Sequence, residues 1–462
     1  MDEIKPKYFT EEEIIELLTT VTDEELERCH KLELVPSKDV ILFQGTPGEA
    51  TVKDTKGNEY IDFTSQAWTL GIGYIQPDVM FAAMEQMKHL SHARNQFQTI
   101  PRIKLVNKLS EIAPGDLKKV VLNTQGGSVA MEVALKIAMV NRSLEQDIFI
   151  TMWGGYHGNT LAMMAPTHFM PLVVRYRGFG REHFVKTPFP YCYRCPFGQK
   201  DISECGNLCL TMLQKTIDYG CQGLPLGVII EPIQGPHGEV PAPPEFIKGA
   251  REICDKNNLL LIFDESQTAF GRIGTMFAAE YYDTIPDIMG LTKALGGGFP
   301  MGATLASEKL EMFTPAEQHS TFSANPVCYA AALVNLELIQ RLDLPKRAVE
   351  MGDYLKKRLL ELQEKYPIMG DVRGVGLFQG VELVKDPETK EPANTAAEEF
   401  VQEALKKGLI LDLCEPLITL HGEFIRSTLT IKPPLVITHE QIDRAMEIFE
   451  ECLQTVTPLA KT

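Results

Sequence analysis

The sequence predicts an α/β protein with a large domain on a mostly parallel central sheet and a smaller α+β domain beside it. Three observations carry this. Between about residues 77 and 326, short apolar runs (KKVVLNT, DIFITMW, LGVIIEP, LLLIFDE, PDIMGL, GATLAS) alternate with stretches of helical periodicity, the pattern of repeated βα units. The run LLLIFDE is too continuously apolar for a strand with one wet face, so it is read as buried on both. A chain of 462 residues also exceeds one simple core, at roughly 150 residues per domain. The expected division is 1–75 as an N-terminal arm and part of the small domain, 76–335 as the large domain, and 336–462 as the C-terminal small domain.

Residues 10–32 place apolar side chains at helical spacing among acids, which predicts one or two amphipathic helices, an arm packing on the body or on a second subunit. Residues 50–62, ATVKDTKGNEYID, read as a hairpin turning at Lys56-Gly57-Asn58. After Val327 a long helical stretch leads to RGVGLFQGVELV, a pair of strands, and then to further helices and IRSTLTIKPPLVIT. The formal charge of −17 argues against nucleic acid as a partner, because such a surface repels phosphates. No apolar run nears the roughly 20 residues that span a bilayer, and the acidic amino terminus lacks a signal region, so a cytoplasmic location without membrane association is expected. Ten cysteines make no disulfide framework. Four of them, Cys192, Cys195, Cys205 and Cys209, have spacing compatible with zinc, and the sequence leaves open whether they bind metal; none is assigned to the site.

The chemistry centres on residues 290–303, GLTKALGGGFPMGA. Lys293 follows an apolar run read as a strand over 286–291 and precedes three glycines that cannot continue a regular element. A lysine held at a strand end, with backbone beside it that lets a planar group approach, is a candidate for covalent attachment to a carbonyl cofactor. An ordinary surface lysine before a glycine-rich loop is the competing reading. Against it stands Asp264, at the carboxyl end of the buried run LLLIFD, where an acid is costly without a charged partner such as a protonated pyridine nitrogen.

Read together, these segments resemble the class III aminotransferases, fold type I enzymes that use pyridoxal 5'-phosphate. Asp264-Glu265-Ser266-Gln267, Gly271-Arg272-Ile273-Gly274 and the run from Lys293 to Pro300 stand where the family has its strand-end acid, its Gly-Arg turn and its cofactor lysine. The resemblance implies Lys293 and Asp264 as catalytic residues. It further implies Gly127 and Ser128 at a phosphate-binding helix start, Tyr156 stacked on the pyridine within an aromatic-His-Gly motif with His157, and Glu231 and Gln267 near the ring hydroxyl. Thr321, in His319 through Pro326, would complete the phosphate site of a second subunit, implying a homodimer or a dimer of dimers. Trp68 would line the substrate mouth, and Ser266, where the family carries valine or isoleucine, would loosen packing behind the ring.

The resemblance also bears on substrates, an amino donor and a 2-oxo acid acceptor. Family members that act on free amino acids place arginines where this chain has Asn159 and Thr430, and 4-aminobutyrate enzymes place a glutamate where it has Pro236. An arginine is the usual holder of a carboxylate, so the donor is expected to lack a free carboxylate near its amine. Arg175, Arg177 and Arg181, clustered in an acidic chain, suggest an anion site for a large phosphorylated substrate, with a solvated loop as the alternative. The chain also resembles the 3-aminobutyryl-CoA aminotransferases of amino-acid fermentation, which implies a coenzyme A thioester as donor. Two other activities remain open on the same fold, an ω-amine or ω-amino acid aminotransferase and an amino-acid racemase or epimerase. A non-catalytic binding protein is disfavoured by the intact Asp264 and Lys293.

Overall fold

The computed structural model describes residues 5–35, 40–168, 180–199, 204–314, 317–318, 320–418 and 424–459. Its centre is a seven-stranded sheet of β1 (Lys119–Asn123), β2 (Gln146–Met152), β3 (Phe184–Thr187), β4 (Leu224–Ile230), β5 (Leu260–Asp264), β6 (Ile288–Thr292) and β7 (Gly302–Ala306). The spatial order is β1-β7-β6-β5-β4-β2-β3. All neighbours pair in parallel except β7, which runs antiparallel to both β6 and β1. The carboxyl ends of the other six strands therefore share one edge, the edge at which open α/β sheets bind ligands.

Six of these strands coincide with the apolar runs of the sequence. The seventh, β3, is a four-residue edge strand, FVKT, too short to stand out as an apolar run. Strands β5, β6 and β7 are buried at every position, as the continuous apolar runs require. The helix Gly127–Val140 packs so closely on β6 that a Cβ on Gly290 would lie 2.4 Å from Met131 Sδ.

The remaining strands draw on both ends of the chain. One sheet pairs Leu42–Gly45, Thr51–Asp54 and Glu59–Asp62 with Leu409–Ile410. A second combines Met369–Val375, Phe378–Leu383, Asp412–Leu413 and Thr428–Ile431, with helices Leu344–Lys365 and Asn394–Lys406 packed against it. Near the amino terminus two helices, Glu11–Thr19 and Asp23–Leu32, each start with a capping box, Thr10 with Glu13 and Thr22 with Glu25. Neither buries a residue. Among the described residues no helix is long and apolar enough to cross a membrane.

Candidate active site

The parallel register of β5 and β6 sets Asp264 opposite Gly290, so Lys293, three residues on, stands just beyond the same sheet edge. Lys293 opens a short 3-10 turn, Lys293–Gly296, with φ of 51°, a left-handed value unusual for a lysine. The turn is pinned from behind by Asn335, whose amide donates to the carbonyls of Ala294 and Leu295 at 2.8 and 3.0 Å. Gly297 continues left-handed at φ 57°, and a Cβ there would meet Asn335 Oδ1 at 3.0 Å.

Asp264 is buried, with Oδ2 at 2.9 Å from His157 Nδ1 and Oδ1 accepting from the Ser266 amide at 3.1 Å. Burial alone would raise its pKa. The hydrogen bond and charge of His157, helped by Ser266, outweigh that and hold the carboxyl below its usual range. His157 lies against Asp264, while its own Nε2 is buried without a partner among the described residues. Ser266 helps hold the acid rather than merely leaving space.

Glu231, just past the end of β4, is buried and accepts from the Tyr156 amide at 2.8 Å. Burial, and next the charge of Asp264, push its carboxyl up to about 8. Tyr156, half-buried, is thereby fixed beside the two acids. The Lys293 amine is pushed down to about 7, by desolvation first and by the ammonium of Lys432 second, against the pull of Asp264, Glu231 and Glu239. Its Nζ lies 4.3 Å from the centroid of the Trp68 ring.

The helix Gly127–Val140 begins in the same place. Asn123, the last residue of β1, accepts from the amides of Gln125 and Gly126 at 2.9 and 3.0 Å and so bends the chain into it. Gly126 carries φ of 90°, its Cβ position is open space, and no side chain caps the helix. Free amides at an uncapped helix start suit a phosphate. Ser128 Oγ accepts from the Asn159 amide at 3.0 Å, and a Cβ on Gly127 would meet Thr292 Cγ2 at 3.0 Å and Ser266 Oγ at 3.5 Å. This helix start thus adjoins the residues that precede Lys293 and follow Asp264. A buried acid for a ring nitrogen, a depressed amine for a carbonyl carbon and an uncapped helix start fit pyridoxal phosphate.

The structure therefore brings Lys293, Asp264, His157, Tyr156, Glu231, Gly127, Ser128, Asn159 and Trp68 to one edge, and Gln267 joins them through Lys432, which donates to its Oε1 at 3.0 Å. Thr430 is buried in the strand Thr428–Ile431 of the second four-stranded sheet and donates to the Asp412 carbonyl at 3.2 Å. Thr321 is exposed, between Ser320, which accepts from Gln125, and Phe322, which accepts from Thr124, so its segment lies beside the start of the helix Gly127–Val140. Arg175 and Arg177 lie outside the described residues, and Arg181 is exposed. The four cysteines line one small cavity, and among the described residues no group of three or more His, Cys, Asp or Glu is disposed to hold a metal.

Sequence reasoning missed Lys432 and Glu239. Lys432, two residues past Thr430, is fully buried; its ammonium lies 2.5 Å from Glu239 and 3.7 Å from the Trp68 ring centroid. Two residues from Thr430, where the family places an arginine, the chain thus buries a cation that is already paired. Neither residue falls in a motif, and 193 positions separate them.

Fold and site together define a pyridoxal-phosphate-dependent transferase, and comparison with known proteins narrows the class. Residues 37–453 match the family described as aminotransferase class-III. The chain is 34% identical to a leucine/methionine racemase of Thermococcus litoralis, covering 88% of this chain and 89% of that protein. It is also 34% identical to the adenosylmethionine-8-amino-7-oxononanoate aminotransferase of Geobacter sulfurreducens, over 91% of this chain and 93% of that one. Among solved structures, an amine transaminase from an uncultivated Pseudomonas species, determined with its cofactor bound, superposes with a TM-score of 0.83 at 25% identity, covering 92% of this chain and 98% of that one. The chain belongs to the class III aminotransferases. It is a transaminase, its cofactor is pyridoxal 5'-phosphate, and it moves an amino group from an amine donor to a 2-oxo acid.

Proposed function

We infer that the amino donor carries no free carboxylate near its reacting amine, a β-aminoacyl-CoA such as 3-aminobutyryl-CoA being favoured, and that the acceptor is a 2-oxo acid. The observation that carries this reading is the chemistry at three positions: Asn159 and Thr430 are neutral, Pro236 is apolar, and Thr430 turns its hydroxyl to a backbone carbonyl. The ammonium of Lys432, two residues past Thr430, is already held by Glu239 and Gln267. A free carboxylate entering here would be desolvated without a cation of its own. The exposed Arg181 supports a phosphorylated substrate, and Arg175 and Arg177 stand in the sequence just before it.

In this reading Lys293 supplies the amine that holds the cofactor and, once released, moves a proton at the substrate carbon. Pyridoxal phosphate, when bound, provides the electron sink for that carbon. Asp264, favoured in its ionised form by His157, would keep a proton on the ring nitrogen. Tyr156 would bound the ring, Glu231 and Gln267 would serve its hydroxyl, and Gly127 and Ser128 would take the phosphate. Thr321 adds a hydroxyl to the phosphate site of a second copy, so the working unit is a homodimer; the exposed Phe81, Met84 and Met87 on the helix Pro77–His89 supply apolar surface for such an interface.

A racemase is the second reading, favoured by the name of the Thermococcus relative. Donor without acceptor separates the two. With 3-aminobutyryl-CoA alone, a transaminase takes up the amino group and its visible absorbance changes and stays changed. An enzyme that returns to its starting spectrum while inverting the donor's stereocentre is a racemase, and the transaminase reading of this donor falls.

A further inference from the structure

Lys432 and Glu239 form a fully buried ion pair that none of the steps above uses. Its backbone is clamped on both sides. The Lys432 amide donates to the Phe63 carbonyl at 2.7 Å, and Ser65 Oγ donates to the Lys432 carbonyl at 2.6 Å. Ser65 begins the run Ser65–Trp68, four consecutive non-glycine residues at positive φ, from 46° to 67°. Such a run is costly for side chains with a Cβ and persists only where neighbours over-determine it. Those neighbours are present: the Asp62 carboxylate accepts from the Thr64 amide, the Gln66 amide and the Tyr74 hydroxyl at 2.7, 3.1 and 2.8 Å. The strained turn ends on Trp68, which is thereby tied to the strand end that carries Lys432.

The indole is shared. Lys293 Nζ is 4.3 Å and Lys432 Nζ 3.7 Å from its centroid, so the two nitrogens lie within about 8 Å of each other. Two ammoniums that close, out of water, repel by enough to move a proton affinity by about one pH unit or more. The other charges facing Lys293 are Asp264, Glu231 and Glu239, all of which favour its charged form. Lys432 in turn faces Glu239, Glu231 and Arg272, and Glu239 also faces Arg373. Glu239 favours the charged form of Lys432, against a burial that pushes this amine down to about 8 and the Glu239 carboxyl up to about 7, and among the described residues Oε2 of Glu239 has no partner. A lysine beside a second cation is a known way to obtain a neutral, nucleophilic amine near pH 7.

We propose that Lys432 is a positioning residue for Lys293: its ammonium, fixed by Glu239 beneath Trp68, keeps the Lys293 amine in the free-base form that can attack a carbonyl. The proposal rests on Lys293 being the cofactor-bearing amine, and its test reads that amine directly, without turnover. In the full-length protein freed of cofactor, competitive labelling of Lys293 with an amine-reactive aryl reagent, followed by mass spectrometry across pH 5–11, gives its titration midpoint. Wild type should titrate near neutrality. Lys432→Met should raise the midpoint by about one unit, and Lys432→Arg should restore it. Because Lys432→Met leaves Glu239 buried and unpaired, the double variant Lys432→Met/Glu239→Gln guards against a folding defect and should move the midpoint in the same direction by less. A wild-type midpoint near neutrality that neither Lys432→Met nor the double variant shifts overturns the role of Lys432 and leaves Lys293 as cofactor lysine standing. A wild-type midpoint in the ordinary lysine range overturns both.

Discussion

At the scale of single residues the account turns on an amine and an acid placed at neighbouring strand ends. Lys293 is the only attachment point proposed for the cofactor, so Lys293→Ala should bind pyridoxal phosphate without retaining it after borohydride reduction. Intact-mass measurement checks this, and a reduced, mass-shifted Lys293→Ala protein would place the attachment elsewhere. The depressed amine also predicts a pH dependence. Below about 7 Lys293 is an ammonium and cannot attack, and above it the free base predominates. The rate at which cofactor-free protein captures pyridoxal phosphate should therefore rise through pH 7 and level off by about pH 8, as read by absorbance. A rate still climbing tenfold per unit at pH 9 would mean an ordinary lysine. Asp264 titrates in the other direction: held below its usual range, it remains ionised across that window and adds no inflection.

At the scale of elements, what matters is how each strand hands its last residue to the site. Asn123 closes β1 by accepting two backbone amides, and that bend leads into the following helix, whose first amides are proposed to take the phosphate. Asn123→Ala removes both bonds and should cost about 1–2 kcal/mol of stability, with a faster loss of cofactor on dialysis; unchanged retention would detach the bend from phosphate binding. The β–α alternation and the motif residues at strand ends were legible in the sequence because buried parallel strands are continuous apolar runs and their ends are marked by polar residues or glycine. Other features were hidden for physical reasons. The edge strand β3 is too short to show a period. The left-handed run Ser65–Trp68 contains no glycine to announce it. The pair of Lys432 with Glu239 joins segments far apart in the chain, and only the fold brings them together. His157 could be read as part of a motif, but its bond to Asp264 appears only when β5 and the segment after β2 stand side by side.

At the scale of the whole molecule, one chain carries the lysine, the acid and the helix proposed to take the phosphate, while Thr321 stands exposed beside the start of that helix. If its hydroxyl serves a second copy, Thr321→Ala should hold pyridoxal phosphate weakly, and mixing it with Lys293→Ala under conditions that exchange subunits should recover activity. Each mixed dimer then has one site with both Lys293 and a partner-borne threonine. Recovery of nothing, with exchange demonstrated by mass spectrometry, would mean that Thr321 acts within its own chain or not at all.

The central claim, that the donor's carboxylate is masked, is tested most directly by the ratio of kcat/KM for 3-aminobutyryl-CoA to that for free 3-aminobutyrate, with the same 2-oxo acid acceptor. With Asn159 and Thr430 neutral and Lys432 already paired, the free acid should be disfavoured by at least about 10- to 100-fold, the worth of one missing charge-assisted hydrogen bond. Equal efficiency with the two donors would contradict the account.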